Sequence, residues 1–480
     1  MTPSSASHER GRKIVIVGMF TRDPGRRGAA PSKSPCRLAK LKYRVAGGGV
    51  IGCTTAYYLT RHPSYSADRC DITILEAGRL AGGASGKAGG LLAQWAYPAS
   101  LVSLSFDLHQ DLAAEHDGDR AWGYRTIRCG KLTARDPRLP DEPSSTPALA
   151  WAAQQIASWV SLGKRREVNK DGGDMAPVQV PDDLDWFRRE AVTKYEDVAP
   201  QKETAQVHPY HFTVAMANLA EQAGVRVITR AAAEEIEYGA PDEADEAGSG
   251  GGAALPRTAA RAVRYVDKNT ARSIRLPADV VILAAGPWTP ALFPEAPVGA
   301  LRAHSVIIKP ARPLSAYCLF TEVSMARGEG SGEGKGSSEA DGDAEAGPRI
   351  VSPEIYSRPN NEVYVAGEGD VRVPLPAGAD DVEVNRAACR LIEEAVMAVS
   401  DELRSGTVTG RRACYLPTVD VPSGAPLVGP TWVDGLLLAT GHGCWGIHNA
   451  PATGKLISEI VFDGDARSAD ISALDPRKVI

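Results

Sequence analysis

Aliphatic runs recur along the chain, separated by glycine turns and by stretches of helical spacing. The first is KIVIV, residues 13–17, which ends on Gly18. YRVA, residues 43–46, is a poorer strand of the same kind, placed directly before GGGVIG. DITILE (71–76), ADVVILAAG (278–286) and GLLLATG (435–441) follow. Such continuous Val/Ile/Leu runs suit parallel strands buried on both faces. Helical periodicity covers residues 53–60, directly after the glycines, and 386–399. It also covers 212–223, where Gly224 supplies a stop before the strand VRVIT. Strands alternating with helices predict an α/β domain with a parallel sheet, within a chain that is α+β overall.

The first strand and its turn are separated. KIVIV is the stronger β1 candidate, yet the glycines come only after residues 19–47. Deleting that segment gives KIVIVGGGVIGC, a continuous strand, turn and helix start. Residues 19–47 therefore read as an insertion or a translated intron. If they are retained, KIVIV is expected to keep its place in the sheet, because it buries more apolar surface than LKYRVA. In LKYRVA, Arg44 would fall inside a buried parallel strand. The role of first glycine passes between Gly18 and Gly47.

A length of 480 residues suggests two to three domains. A net charge of −5 argues against a general nucleic-acid binder. Eight cysteines without a CxxC pair fit reduced thiols and argue against a zinc site, so no metal ligands are assigned. No apolar run approaches a membrane span. A cytoplasmic enzyme is the default expectation. Residues 239–256 and 326–347, and more weakly 165–183, are read as flexible loops from their Gly/Ser/acidic composition.

GGGVIG places GxGxxG at Gly47, Gly49 and Gly52, with Val50 and Ile51 opening a helix. Glu76 ends the next strand, near the spacing of about 20 residues expected for an acidic residue that binds ribose hydroxyls. The bland alternative is a flexible turn beside a surface glutamate. In the dinucleotide reading, Gly47 allows the turn, Gly49 lets a pyrophosphate approach, and Gly52 lets the helix pack on the strand. The helix N-terminus offers N–H groups to phosphate. Residues 79–93, RLAGGASGKAGGLLA, then favour FAD over NAD, because a second glycine-dense loop suits a longer cofactor. Ser85, Lys87, Gly89, Gly90 and Leu91 are the candidate contacts there. Near the other end, Gly441, His442, Gly443, Trp445, Gly446 and Ile447 lead into a helix expected to start near Pro451. That helix dipole would favour negative charge on a reduced ring. His442 and His448 read first as packing or capping residues, and acid–base chemistry is the sharper alternative at His442.

Together GGGVIGCTTAYYL, ILEAG, GGASGKAGGLLA, VVILAAGPWTPAL and ATGHGCWGIHNAPATGKLISEIV resemble the FAD-dependent oxidoreductases related to D-amino-acid oxidase, glycine oxidase and sarcosine oxidase, in a fungal branch. The resemblance implies a Rossmann-like FAD-binding domain from residues 13–110, 205–300 and 405–480. It implies a mostly antiparallel substrate domain from 111–204 and 301–404. It also implies FAD contacts at Ala77 and Ala233, and at Ala285, Gly286 and Trp288.

The chemistry implied is hydride removal from a C–N bond of a small amine or amino acid, with O2 as a candidate oxidant; a neutral amine requires no side-chain base. An amino-acid substrate calls for a carboxylate clamp. Arg302 with His304, and Tyr356 with Arg358, are the candidate pairs, each with a structural ion pair as the plain alternative. Cys318 and Cys414 read as buried thiols. Two further readings stay open here: an NAD-dependent dehydrogenase, and a flavin-containing regulatory protein, for instance endosomal, that recruits protein partners through its acidic loops.

Overall fold

In a computed structural model, residues 40–139, 178–240, 258–326 and 348–480 are described. KIVIV, Gly18 and most of the three loop-like segments lie outside them. The first strand is β1, Leu41–Ala46, followed by α1, Val50–Arg61, and β2, Cys70–Leu75. The same sheet receives β3, Arg226–Ile228, β4, Val280–Leu283, β5, Leu427–Pro430, and β6, Leu436–Thr440. The order across the sheet is β5-β6-β4-β1-β2-β3, parallel except at the β5/β6 edge. This is the Rossmann-like α/β unit that the aliphatic runs predict.

The expectation for the central strand is corrected. Leu41–Ala46 pairs with β4 on one side and β2 on the other, so residues 40–47 are integral to the sheet and not part of an insertion. The physical reason is continuity. Gly47 must leave the end of the central strand directly, and only LKYRVA is contiguous with it. The cost of that choice is Arg44, which is 1% exposed. Its guanidinium donates to the Pro277 carbonyl at 2.8 Å, the Asp71 carbonyl at 2.7 Å and Asp71 Oδ2 at 2.8 Å. A buried charge is tolerated when it is paired and its donors are satisfied. Burial pushes the Asp71 carboxyl up, but the hydrogen bond and charge of Arg44, with Arg226 and Lys40, outweigh it and hold the group below its ordinary range.

On one face of this sheet pack α1, α2 (Ala99–Glu115), α3 (Pro209–Gln222) and a long final helix. α3 begins with Pro at its first position and ends just before Gly224, at φ +101°. The final helix spans Gly446–Asp463, so it starts one turn before the predicted Pro451 and contains that proline. Proline cannot bond the carbonyl four residues back. That carbonyl, on Ile447, instead accepts from His109 Nε2 at 2.9 Å, and Ser105 Oγ bridges the next rung by donating to the His448 carbonyl at 2.5 Å and accepting from Ala452 N–H at 3.2 Å. Two polar residues of α2 thus complete the turn that Pro451 opens.

The second large element is an eight-stranded, mostly antiparallel sheet. Its main path runs Thr407–Val419, Val298–Lys309, Glu362–Asp370, Glu354–Arg358, Tyr317–Met325, Arg128–Arg135 and Val192–Ala199. One face carries the amphipathic helix α4, Arg386–Val399, whose start is capped by Asn385 Oδ1 accepting from Ala387 and Ala388 N–H groups. The opposite face is aromatic and meets the glycine-rich segments of the first unit. Among the described residues no helix is long and apolar enough to cross a membrane, and no cluster could hold a metal ion.

Asp71→Ala is expected to destabilise the fold by about 2 kcal/mol in urea titrations at neutral pH, because Arg44 stays buried without its partner. A depressed carboxylate contributes stability above its unfolded pKa and loses it as pH falls through the folded value. Wild type and variant should therefore converge in acid.

Candidate functional site

The site is built around the turn from β1 to α1. Gly47 has φ +122°, and a Cβ there would lie 2.2 Å from the Ala284 carbonyl oxygen on the neighbouring β4 turn. A Cβ on Gly52 would lie 1.9 Å from the Gly47 carbonyl oxygen, so only glycine lets α1 sit this close to the turn. Gly49 is the N-cap of α1 and has no side chain to offer its N–H groups. Ser85 serves from the second glycine loop: its hydroxyl oxygen accepts from Val50 N–H at 2.9 Å. Glu76, at the end of β2, accepts from Gly48 N–H at 2.8 Å and Gly78 N–H at 2.7 Å. Burial pushes its carboxyl up, against the lowering effect of those two hydrogen bonds.

This turn opens into one cleft. Of the candidate cofactor contacts, Gly47, Gly49, Val50, Ile51, Glu76, Ala77, Ser85, Ala233, Ala285, Gly286, Trp288, Gly441, His442, Gly443, Gly446 and Ile447 line it. Residues from five separated stretches of sequence thus meet at the C-terminal ends of the parallel strands, where open α/β sheets bind their ligands. Glycine and alanine dominate the walls, which suits a ligand held by backbone groups.

Gly52 supports the turn from behind. Lys87, Gly89, Gly90, Leu91 and Trp445 do not line the cleft. Lys87 Nζ donates to the Ala413 carbonyl at 2.9 Å and clips its loop to the large sheet, and burial pushes its pKa down. The sequence reading missed Ala377, Gly378 and Ala379, and also Leu416 and Pro417, which complete the wall. Nothing in their local pattern marks them, because they reach the cleft only through the packing of the second sheet.

The proposed carboxylate clamps are corrected. Arg358 is 4% exposed; it pairs with Glu362 at 2.8 Å and donates to the Ala88 and Gly89 carbonyls. Its donors are spent on holding the glycine loop to the sheet, where the Tyr356 ring covers Gly89. Arg302 grips Asp370 through Nε and a terminal nitrogen at 3.1–3.2 Å. His304 Nε2 accepts from Asn385 N–H at 3.0 Å and so fixes the start of α4. Arg302, His304 and Arg358 thus make contacts within the protein, as the plainer of the two readings has it.

His442 faces the cleft, with Nε2 3.0 Å from Thr453 Oγ1, and burial pushes its pKa down to about 3, so it is neutral. His448 Nδ1 accepts from Ala93 N–H at 3.3 Å and lies outside the cleft lining. Cys318 and Cys414 are buried free thiols.

Fold and cleft together define a Rossmann-type dinucleotide-binding protein. Residues 43–460 match the FAD-dependent oxidoreductase (DAO) family, and the chain belongs to it. The chain is 35% identical to TDA3 of Saccharomyces cerevisiae, over 90% of this chain and 94% of that protein. It is 30% identical to C1F5.03c of Schizosaccharomyces pombe, over 90% and 97% respectively. Both carry oxidoreductase names without a substrate. Among solved structures, glycine oxidase from Geobacillus kaustophilus shares the fold with a TM-score of 0.61 at 17% identity, covering 92% of this chain and 100% of that one. The cofactor of the family is FAD, which sets aside the nicotinamide reading.

Gly52→Ala should abolish FAD retention, read as loss of visible flavin absorbance after gel filtration, because α1 cannot approach the turn. Arg358→Gln should weaken FAD retention and lower the melting temperature, since it frees the loop at residues 88–89. A substrate clamp would instead raise KM with flavin content unchanged.

Proposed function

We propose that this chain oxidises a C–N bond of a small amine or amino acid, with FAD held in the cleft. The observation that carries the reading is that two glycine turns, at Gly47–Gly49 and Gly441–Gly443, each lead into a helix N-terminus at the same cleft. In this reading the N–H groups at the start of α1, with Ser85, receive the pyrophosphate. Glu76 accepts from ribose hydroxyls, and Ala77 and Ala233 flank the adenine. Gly286, Trp288 and residues 441–447 border the ring. The start of the final helix supplies a positive field beside it. The FAD domain then comprises residues 40–110, 205–300 and 405–480, with a substrate domain from 111–204 and 301–404.

FAD, when bound, supplies the acceptor for a hydride and its electron pair. The protein binds and orients the substrate and excludes water from it. His442 is neutral and hydrogen-bonded to Thr453, so it holds position and does not carry charge to the site. No protein base is required when the amine is bound neutral: its carbon loses a hydride, its lone pair forms the imine, and water hydrolyses that product. The glycine oxidase name of one structural relative supports C–N chemistry and O2 as the terminal oxidant.

Anaerobic mixing of the purified yellow protein with a panel of amines and amino acids should bleach the flavin for one class of compound. Flavin that stays oxidised across the whole panel would overturn the proposal and favour a regulatory flavoprotein.

A further inference from the structure

Glu354 is one of the acidic groups on the aromatic face of the large sheet. Glu354 stands directly opposite Phe320 on the neighbouring strand, so both point to the same side. Two residues on, Tyr356 stands opposite Tyr364, with ring centroids 5.6 Å apart. Trp95 lies against this face, edge-on to Phe320 at 6.1 Å and to Trp445 at 5.7 Å. Trp445 belongs to the turn that borders the cofactor cleft, and its neighbour Cys444 lines that cleft. Glu354 is near enough for its charge to act on the Cys444 thiol. Trp445 thus links the aromatic face to the turn that lines the cleft.

Glu354 has no cationic partner among the described residues. Its carboxyl accepts from the Tyr356 hydroxyl at 2.6 Å, and that hydroxyl and burial are what bear on its charge. The nearby arginine on the same strand, Arg358, is committed to Glu362 and to the loop carbonyls. Glu354 is half-buried, and burial pushes its carboxyl up against the lowering effect of the Tyr356 hydroxyl. A lone carboxylate at an apolar surface is costly unless a ligand pairs with it. Tryptophan, tyrosine and phenylalanine faces beside it attract cations. A substrate carboxylate would meet the opposite: repulsion from Glu354 and no free arginine among these groups.

We propose that the substrate is a cationic amine, received as its ammonium group by Glu354 among Trp95, Phe320, Tyr356 and Trp445, and not an amino acid held by its carboxylate; the Glu354 carboxylate takes one N–H proton, which frees the lone pair that C–N oxidation needs. This rests on the C–N oxidation reading and narrows its substrate class.

The test titrates the purified full-length protein with benzyltrimethylammonium, which has no nitrogen lone pair and cannot be oxidised, and separately with acetate. Isothermal calorimetry measures both, whether or not flavin is bound, and the visible flavin spectrum is followed in parallel. The ammonium probe should bind and perturb the flavin spectrum, and Glu354→Gln should weaken it about tenfold or more while FAD content and melting temperature hold. Trp95→Leu should weaken the same probe several-fold, and it serves as the second variant if Glu354→Gln fails to fold. Equal affinity in wild type and both variants, or binding of acetate without the ammonium probe, would overturn the inference. Protein purified without flavin would count against the oxidation reading alone, since the calorimetric comparison still decides which charge this face accepts.

Discussion

The structure depends on a contact between backbone atoms at the β1–α1 turn. Gly47 lies against the Ala284 carbonyl and Gly52 against the Gly47 carbonyl, so three elements meet with no room for a side chain at either point. That approach aims the α1 N-terminus at the cleft and brings the β4 turn, with Ala285 and Gly286, to the opposite wall. It also dictates which residues form β1. The strand must end where Gly47 begins, and this requirement outweighs the greater apolar area of a run located elsewhere in the chain. Arg44 is the consequence, made tolerable by Asp71 and two carbonyls.

The second unit meets that turn through polar anchors. Arg358 reaches from the large sheet to the carbonyls of the second glycine loop, and Lys87 reaches back from that loop to Ala413. The loop is thereby fixed from both sides, and its Ser85 is held at the α1 N-terminus. Arg302 and His304 do comparable work further out, tying Asp370 and the start of α4 to the longest strand pair. Charged residues that sequence spacing marks as substrate ligands are thus consumed in joining the layers. Glu354, which has no cationic partner among the described residues, was not marked by any motif.

Local pattern and tertiary context contributed differently. The parallel strands β2, β4 and β6 were legible because buried parallel strands need unbroken aliphatic runs. The GxGxxG turn and Glu76 were legible because glycine and an acidic strand end have specific local uses. The helix stop at Gly224 was legible for the same reason. The start of the final helix was not, since Pro451 is an interruption only until His109 and Ser105 of a distant helix complete its hydrogen bonds.

The sequence by itself determined the class of fold, the FAD-type turn and most of the small residues that line the cleft, because each rests on chain-local geometry. Only the tertiary structure decided that LKYRVA is the central strand, that Ala377–Ala379 and Leu416–Pro417 close the wall, and that Arg302 and Arg358 are anchors. Those outcomes depend on which charges find partners and which backbones come into contact across hundreds of residues. A burial pattern along the chain carries no record of that.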